Sequence, residues 1–178
     1  MTIVPTNPDL SESTIRGVEI IDRVKRSGVD FVVALPDIVT CESLLWPMSK
    51  DSEMTVVPVC KEDEGVSICT ALSYCERRAL LLIQHTGFLD SLNAVQTIAV
   101  NYAMPVCMMV GLQGMEPDRE LKDSKSYGIR IMEPILGAMG IDYTILRTGA
   151  DADTITPAID GAYQNSHPFV FLVARSPV

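Results

Sequence analysis

Six short apolar runs, separated by helix-length segments, set the tightest limit on what this chain folds into. They are Asp30–Leu35, Met54–Val59, Ala79–Ile83, Pro105–Val110, Tyr143–Leu146 and Phe169–Val173. Runs that are apolar at nearly every position, not at every second one, read as strands covered on both faces, which is the habit of parallel sheets. Parallel strands need crossover connections. The expected fold is therefore α/β, a three-layer α/β/α arrangement around a six-stranded, mostly parallel sheet.

The intervening helices are read from apolar spacing and stop signals. Ile15, Val18, Ile21 and Val24 recur at helical spacing from Ser13 until Gly28 closes the run. Thr40–Met48, a helix opening near Asp63, Ser91–Tyr102, Glu133–Met139 and Asp153–Tyr163 follow, the last with Asp153 as its expected N-cap. Residues 115–130 are charged and without clear period, so an exposed loop with at most one helical turn is expected there. Residues 1–12, polar and proline-punctuated, are expected as a flexible arm, and 13–178 as a single domain.

Composition narrows the function classes. The 23 acidic against 14 basic residues give a net charge of −9, which repels phosphate backbones and anionic lipid headgroups. Nucleic acid and membrane partners are excluded on that ground. The 5 cysteines are odd in number and form no CxxC pair, which favours reduced thiols over a disulfide framework or a zinc site. No metal ligand set is expected. The start of the chain lacks the pattern of a signal peptide, and no apolar run approaches ~18 residues, so a soluble, cytoplasmic protein is expected.

In an open parallel sheet, ligands gather outside the carboxyl ends of the strands. Those ends are Pro36-Asp37, Cys60–Glu64, Gln84–Asp90 and Gly111–Gly114. Glu64 admits two readings. With Glu62 and Asp63 it can simply favour the helix dipole, worth roughly 0.3–1 kcal/mol. Alternatively, because Val66, Ile68, Cys69, Ala71, Leu72 and Cys75 leave the helix little polar face, its carboxylate can be desolvated at an interface and suited to proton work. Thr86, Gly87 and Asn93 form either a glycine turn running into a helix or a place where backbone approaches a flat ligand. His85 is either structural or an acid–base group, and His167 reads as a turn residue. No cysteine sits in a nucleophile elbow, and neither G-x-G-x-x-G nor a P-loop occurs.

Three segments carry a resemblance: residues 29–37 (VDFVVALPD), 59–69 (VCKEDEGVSIC) and 84–94 (QHTGFLDSLNA). In order and spacing the chain resembles, over about residues 14–175, the pyrimidine-binding (PYR) domain of thiamine diphosphate enzymes, within the sulfopyruvate and phosphonopyruvate decarboxylase group. Glu64, Gly65, Ala71 and Tyr74 occupy the pattern that opens the family's second helix. The resemblance implies that Glu64 is the carboxylate that hydrogen-bonds the cofactor's aminopyrimidine ring nitrogen and activates it for attack on a 2-oxo acid.

The resemblance further implies cofactor contacts from Pro36, Asp37, Gln84, Thr86, Gly87 and Asn93, a catalytic part for His85, and substrate contacts from His85 and Gln113. His85 stands where the family usually has asparagine, Leu89 where it has a second glycine, and Gln113 where it tends to have arginine. The family's Gly-Asp-Gly and Asn-Asn motifs, which hold diphosphate and Mg2+, do not occur. Thiamine diphosphate and Mg2+ are thus expected to be completed by a separate beta subunit, in an α2β2 or larger assembly acting on a small anionic 2-oxo acid. Two alternatives stay open: an enzyme of the same cofactor class that joins two carbonyl compounds or takes another 2-oxo acid, and a non-catalytic assembly module.

Overall fold

The apolar runs form one sheet. In the computed structural model, which describes residues 15–178, strands β1 (Phe31–Ala34), β2 (Thr55–Pro58), β3 (Ala79–Gln84), β4 (Cys107–Gly111), β5 (Asp142–Leu146) and β6 (Phe169–Val173) are all parallel. Their order across the sheet is β2-β1-β3-β4-β6-β5. The arm expected over 1–12 lies outside the described residues.

Strand side chains alternate between two cores, which makes the fold three-layered. Val32, Leu80, Leu82, Met109 and Phe171 point to one face, beneath α1 (Gly17–Arg26), α2 (Trp46–Lys50) and α8 (Ile155–Asn165). Val33, Leu81, Ile83, Met108, Val110 and Leu172 point to the other, beneath α3 (Glu62–Tyr74) and α7 (Met132–Met139). Gly65 lets α3 approach closely: a Cβ there would lie 2.5 Å from the buried Leu81 Cδ1. Among the described residues, no helix is long and apolar enough to cross a membrane.

Several local expectations are corrected. α1 starts at Gly17, and its buried set is Gly17, Ile20 and Val24, while Val18 is 59% exposed. Ile15 is buried ahead of the helix, where its carbonyl accepts from the Val178 N–H. The segment after β3 is helical at once. α4 (His85–Asp90) begins at the strand's end and is followed by α5 (Leu92–Ala94) and a π-helical stretch Val95–Val100. Residues 115–130 are not simply an exposed loop. They hold a 3-10 turn at Leu121–Asp123 and α6 (Tyr127–Arg130), pinned by fully buried Leu121 and Ile129, two isolated anchors too far apart to show a period. Asp153 caps nothing. A capping box between Thr148 and Asp151 starts a 3-10 segment, Gly149–Thr154, ahead of α8, and Asp153 instead pairs with Arg23 at 2.8 Å.

Candidate functional site

The chain runs from β1 outward to β2, then returns to place β3 on β1's other side. This reversal opens a crevice at the carboxyl ends of β1 and β3, the usual ligand position in such sheets. Asp37 and His85 stand at these two ends, with Gly111 closing β4 beside them.

Asp37 is 7% exposed and fully occupied. Its Oδ1 accepts from the Val39 N–H at 2.7 Å and the Thr40 N–H at 3.2 Å, while the Thr40 hydroxyl donates to Oδ2. Asp37 therefore caps the turn that leads into the π-helical segment Cys41–Leu45. Burial pushes its carboxyl up, and the hydrogen bonds from Thr40 and Val39 oppose that shift. Gly111 makes room for it, since a Cβ at that position would lie 2.5 Å from Asp37 Oδ1 and 2.9 Å from Val39 Cβ.

His85 is 4% exposed. Its Nδ1–H donates to the Gly111 carbonyl at 3.4 Å, and its Nε2 edge lies 3.2 Å from the place a Cβ on Gly128 would take. The ring is wedged between β4 and α6. Burial lowers its pKa from 6.5, which the Gly111 bond and the Asp37 charge partly offset. A depressed histidine contributes stability that is complete above the unfolded pKa and is lost as pH falls through the folded one. The thermal stability of the wild type is expected to fall as pH drops below about 6.5, and His85→Gln to flatten that slope. Equal slopes in both proteins would contradict it.

A second group is polar and more open. Gln84 Nε2 donates to Gln113 Oε1 at 2.5 Å, and the Thr86 hydroxyl donates to Gln84 Oε1 at 2.6 Å. Three of the expected site residues are thus hydrogen-bonded in a row across the ends of β3 and β4. Pro36 is exposed, and Gly87 is buried. What Gly87 admits is the Glu62 carboxylate, whose Oε1 lies 2.0 Å from where a Cβ would sit. From the sequence, Glu62 reads only as a carboxylate favouring the helix dipole.

Glu64 starts α3. Its Oε2 accepts from the Cys60 N–H at 3.0 Å and the Lys61 N–H at 3.2 Å, as the N3 member of a capping box. Oε1 accepts no hydrogen bond among the described residues. Glu64 and Asn93 line one groove of about 330 Å³, with Asp63, Ser67, Thr97 and the apolar pair Ala94 and Ile98. The desolvation expected for Glu64 is not met within this chain, where it is exposed, as are Ser67, Ala71 and Tyr74 farther along α3. The groove's lining does not include Gln84, Thr86 or Gln113.

This lining suits a flat, nitrogen-containing aromatic ring: a Glu64 oxygen without a hydrogen-bond donor, the Asn93 amide and an apolar wall, beside the Asp63 carboxylate and the Ser67 and Thr97 hydroxyls, which donate to the Asp63 carbonyl and to Gln96. Among the described residues no cluster of His, Cys, Asp and Glu could hold a metal ion. The buried thiols suit no nucleophilic role, because burial pushes both Cys69 and Cys107 up, Cys107 to about 12.

No protein-family model matches the chain. A stretch of 88 residues is 31% identical to the sulfopyruvate decarboxylase subunit alpha of Methanococcus maripaludis, covering 49% of this chain and 52% of that protein. The sulfopyruvate decarboxylase of Methanosarcina acetivorans is 24% identical over 158 residues, 88% of this chain and 39% of that one. The alpha subunit of Methanothermobacter thermautotrophicus is 26% identical over 144 residues, 81% of this chain and 82% of its own. The chain thus spans about half or less of the first two proteins. In sequence it is similar, over most of its own length, to proteins named sulfopyruvate decarboxylase and its alpha subunit.

Proposed function

We propose that this chain is the pyrimidine-binding subunit of a two-component, thiamine diphosphate-dependent 2-oxo acid decarboxylase, with sulfopyruvate as its substrate. The observation that carries the proposal is the half-engaged Glu64. One carboxylate oxygen is fixed by two backbone N–H groups, the other accepts no hydrogen bond among the described residues, and the residue lines a groove with Asn93. The names of the similar proteins support the substrate, and the word alpha in two of them supports a partner.

When bound, thiamine diphosphate supplies the electron sink that accepts the pair left as carbon dioxide departs from a 2-oxo acid. Glu64 would hold the aminopyrimidine ring nitrogen through a proton shared with its second oxygen. Asn93, Ala94 and Ile98, which line the same groove, would hold the ring beside it. The row of Gln84, Thr86 and Gln113 offers polar groups at the ends of β3 and β4. His85 and Asp37, both buried, act as positioning residues that lock β4, α4 and the turn after β1 together. The partner, a beta subunit, supplies the diphosphate and Mg2+ site in an α2β2 or larger assembly, and covers the exposed face of α3. That cover also removes Glu64 from water, which raises the strength of its bond to the ring.

The test is reconstitution. Carbon dioxide release from sulfopyruvate is measured for this chain alone and for the chain with its beta subunit, thiamine diphosphate and Mg2+. Turnover is expected only from the complete mixture, and a complete mixture without turnover contradicts the proposal.

A further inference from the structure

We infer that Arg175, at the carboxyl end of β6, is the anion-holding residue of a subsite that recognises the acidic tail of the substrate. The inference rests on the 2-oxo acid reading above and deepens it. Arg175 follows β6 directly and lines a groove of about 540 Å³ with Ile38, Val39, Gln113, Met115 and Ser176 among others. The strands β4 and β6 that carry its walls are neighbours, so Gln113 and Arg175 project from adjacent strand ends.

Three observations point to an anion there. First, Arg175 forms no ion pair or hydrogen bond among the described residues, whereas every other arginine in the chain is engaged by a carboxylate or a carbonyl. Second, no Asp or Glu lines the groove, although acidic residues number 23 in a chain of net charge −9. Third, Gln113 Oε1 is occupied by the Gln84 amide, which turns the Gln113 NH2 group away from Gln84 and leaves it without an acceptor among the described residues. A guanidinium and an amide donor with no competing carboxylate suit a tetrahedral or planar oxyanion: sulfonate, phosphonate or carboxylate.

The groove meets the polar row at the ends of β3 and β4 through Gln113. Gln113 is tied to Gln84 and through it to Thr86, and Val39 donates its N–H to Asp37. An arginine on β6 can thus supply the charge that Gln113 does not carry.

The test uses the full chain without cofactor or partner. Sulfoacetate, which carries a sulfonate and a carboxylate but no keto group, is titrated while the Arg175 Nε–H and Gln113 side-chain amide are followed by NMR, with acetate as the comparison. Saturable shifts at both groups are expected with sulfoacetate, and Arg175→Ala should weaken binding by about 10- to 100-fold, the loss typical of a charge-assisted hydrogen bond. Arg175→Lys should recover part of it. An unchanged Kd in Arg175→Ala, or no saturable shift at these groups in the wild type, overturns the inference. The two readings fail separately. Binding at Arg175 in a chain whose complex does not decarboxylate removes the functional proposal. Decarboxylation with an unaltered sulfopyruvate KM in Arg175→Ala removes this one.

Discussion

Glu64→Gln is expected to lower kcat of the reconstituted enzyme by about 10²–10⁴-fold, the usual share of a positioned proton-handling group, while leaving the chain folded. The structure makes this substitution unusually clean. Glu64 is the N3 residue of a capping box, accepting from the N–H groups of Cys60 and Lys61. Glutamine serves that position as well as glutamate does, because its side-chain oxygen accepts the same bonds. What glutamine cannot supply is a charged oxygen on the groove side. The melting temperature should therefore fall by no more than about 4 °C, the equivalent of one lost charge–dipole contact. Glu64→Ala removes both functions and should lower melting and kcat together. Near-wild-type kcat in Glu64→Gln would reduce Glu64 to a helix cap.

The second large effect is structural. Gly111→Ala is expected to destabilise the chain by about 2–4 kcal/mol, combining overpacking with the partial loss of a buried hydrogen-bond cluster. A Cβ on Gly111 would meet Asp37 Oδ1 at 2.5 Å and Val39 Cβ at 2.9 Å. The strand cannot move away, because β4 is paired on both sides, with β3 and β6. Nor can the carboxylate yield cheaply, since three donors from Val39 and Thr40 hold it. Chemical denaturation reads the effect directly, and a change below about 0.5 kcal/mol, the ordinary scatter for surface substitutions, would contradict it. Asp37→Ala in the same background should recover part of the loss, because the clash and the cluster share that side chain.

The four inner strands were legible because a buried parallel strand is apolar on both faces; β2 and β5 are edge strands with Thr55, Pro58 and Asp142 exposed, less covered than their apolar runs led one to expect. The start of the helix after β3 was not legible. Gln84-His85-Thr86-Gly87 carries the residues of a turn, yet α4 begins at His85 because the buried Phe88 and the space that Gly87 leaves for Glu62 reward immediate winding. Glu64 could be placed at a strand end from its neighbours, but whether it is a cap or a site could not, because both need an acid in the first turn. In the structure one of its oxygens caps the helix, and the other accepts no hydrogen bond among the described residues. Asp37 was read as a ligand contact, and its spacing to Thr40 is also a capping signal that explains its burial. Arg175 left no trace in the sequence, because its lack of an ion pair or hydrogen bond among the described residues is visible only in the packed chain.

The central claim is that Glu64 acts on one atom, the aminopyrimidine ring nitrogen. It is tested most directly by a cycle of carbon dioxide release from sulfopyruvate. Wild-type and Glu64→Gln complexes are each assayed with thiamine diphosphate and with an analogue in which that ring nitrogen is replaced by C–H. If carboxylate and nitrogen act as one unit, either change alone should remove nearly all the activity and the second should remove little more, leaving a coupling energy above about 2 kcal/mol. Losses that simply multiply would show that Glu64 and the ring nitrogen act independently, and would contradict the account.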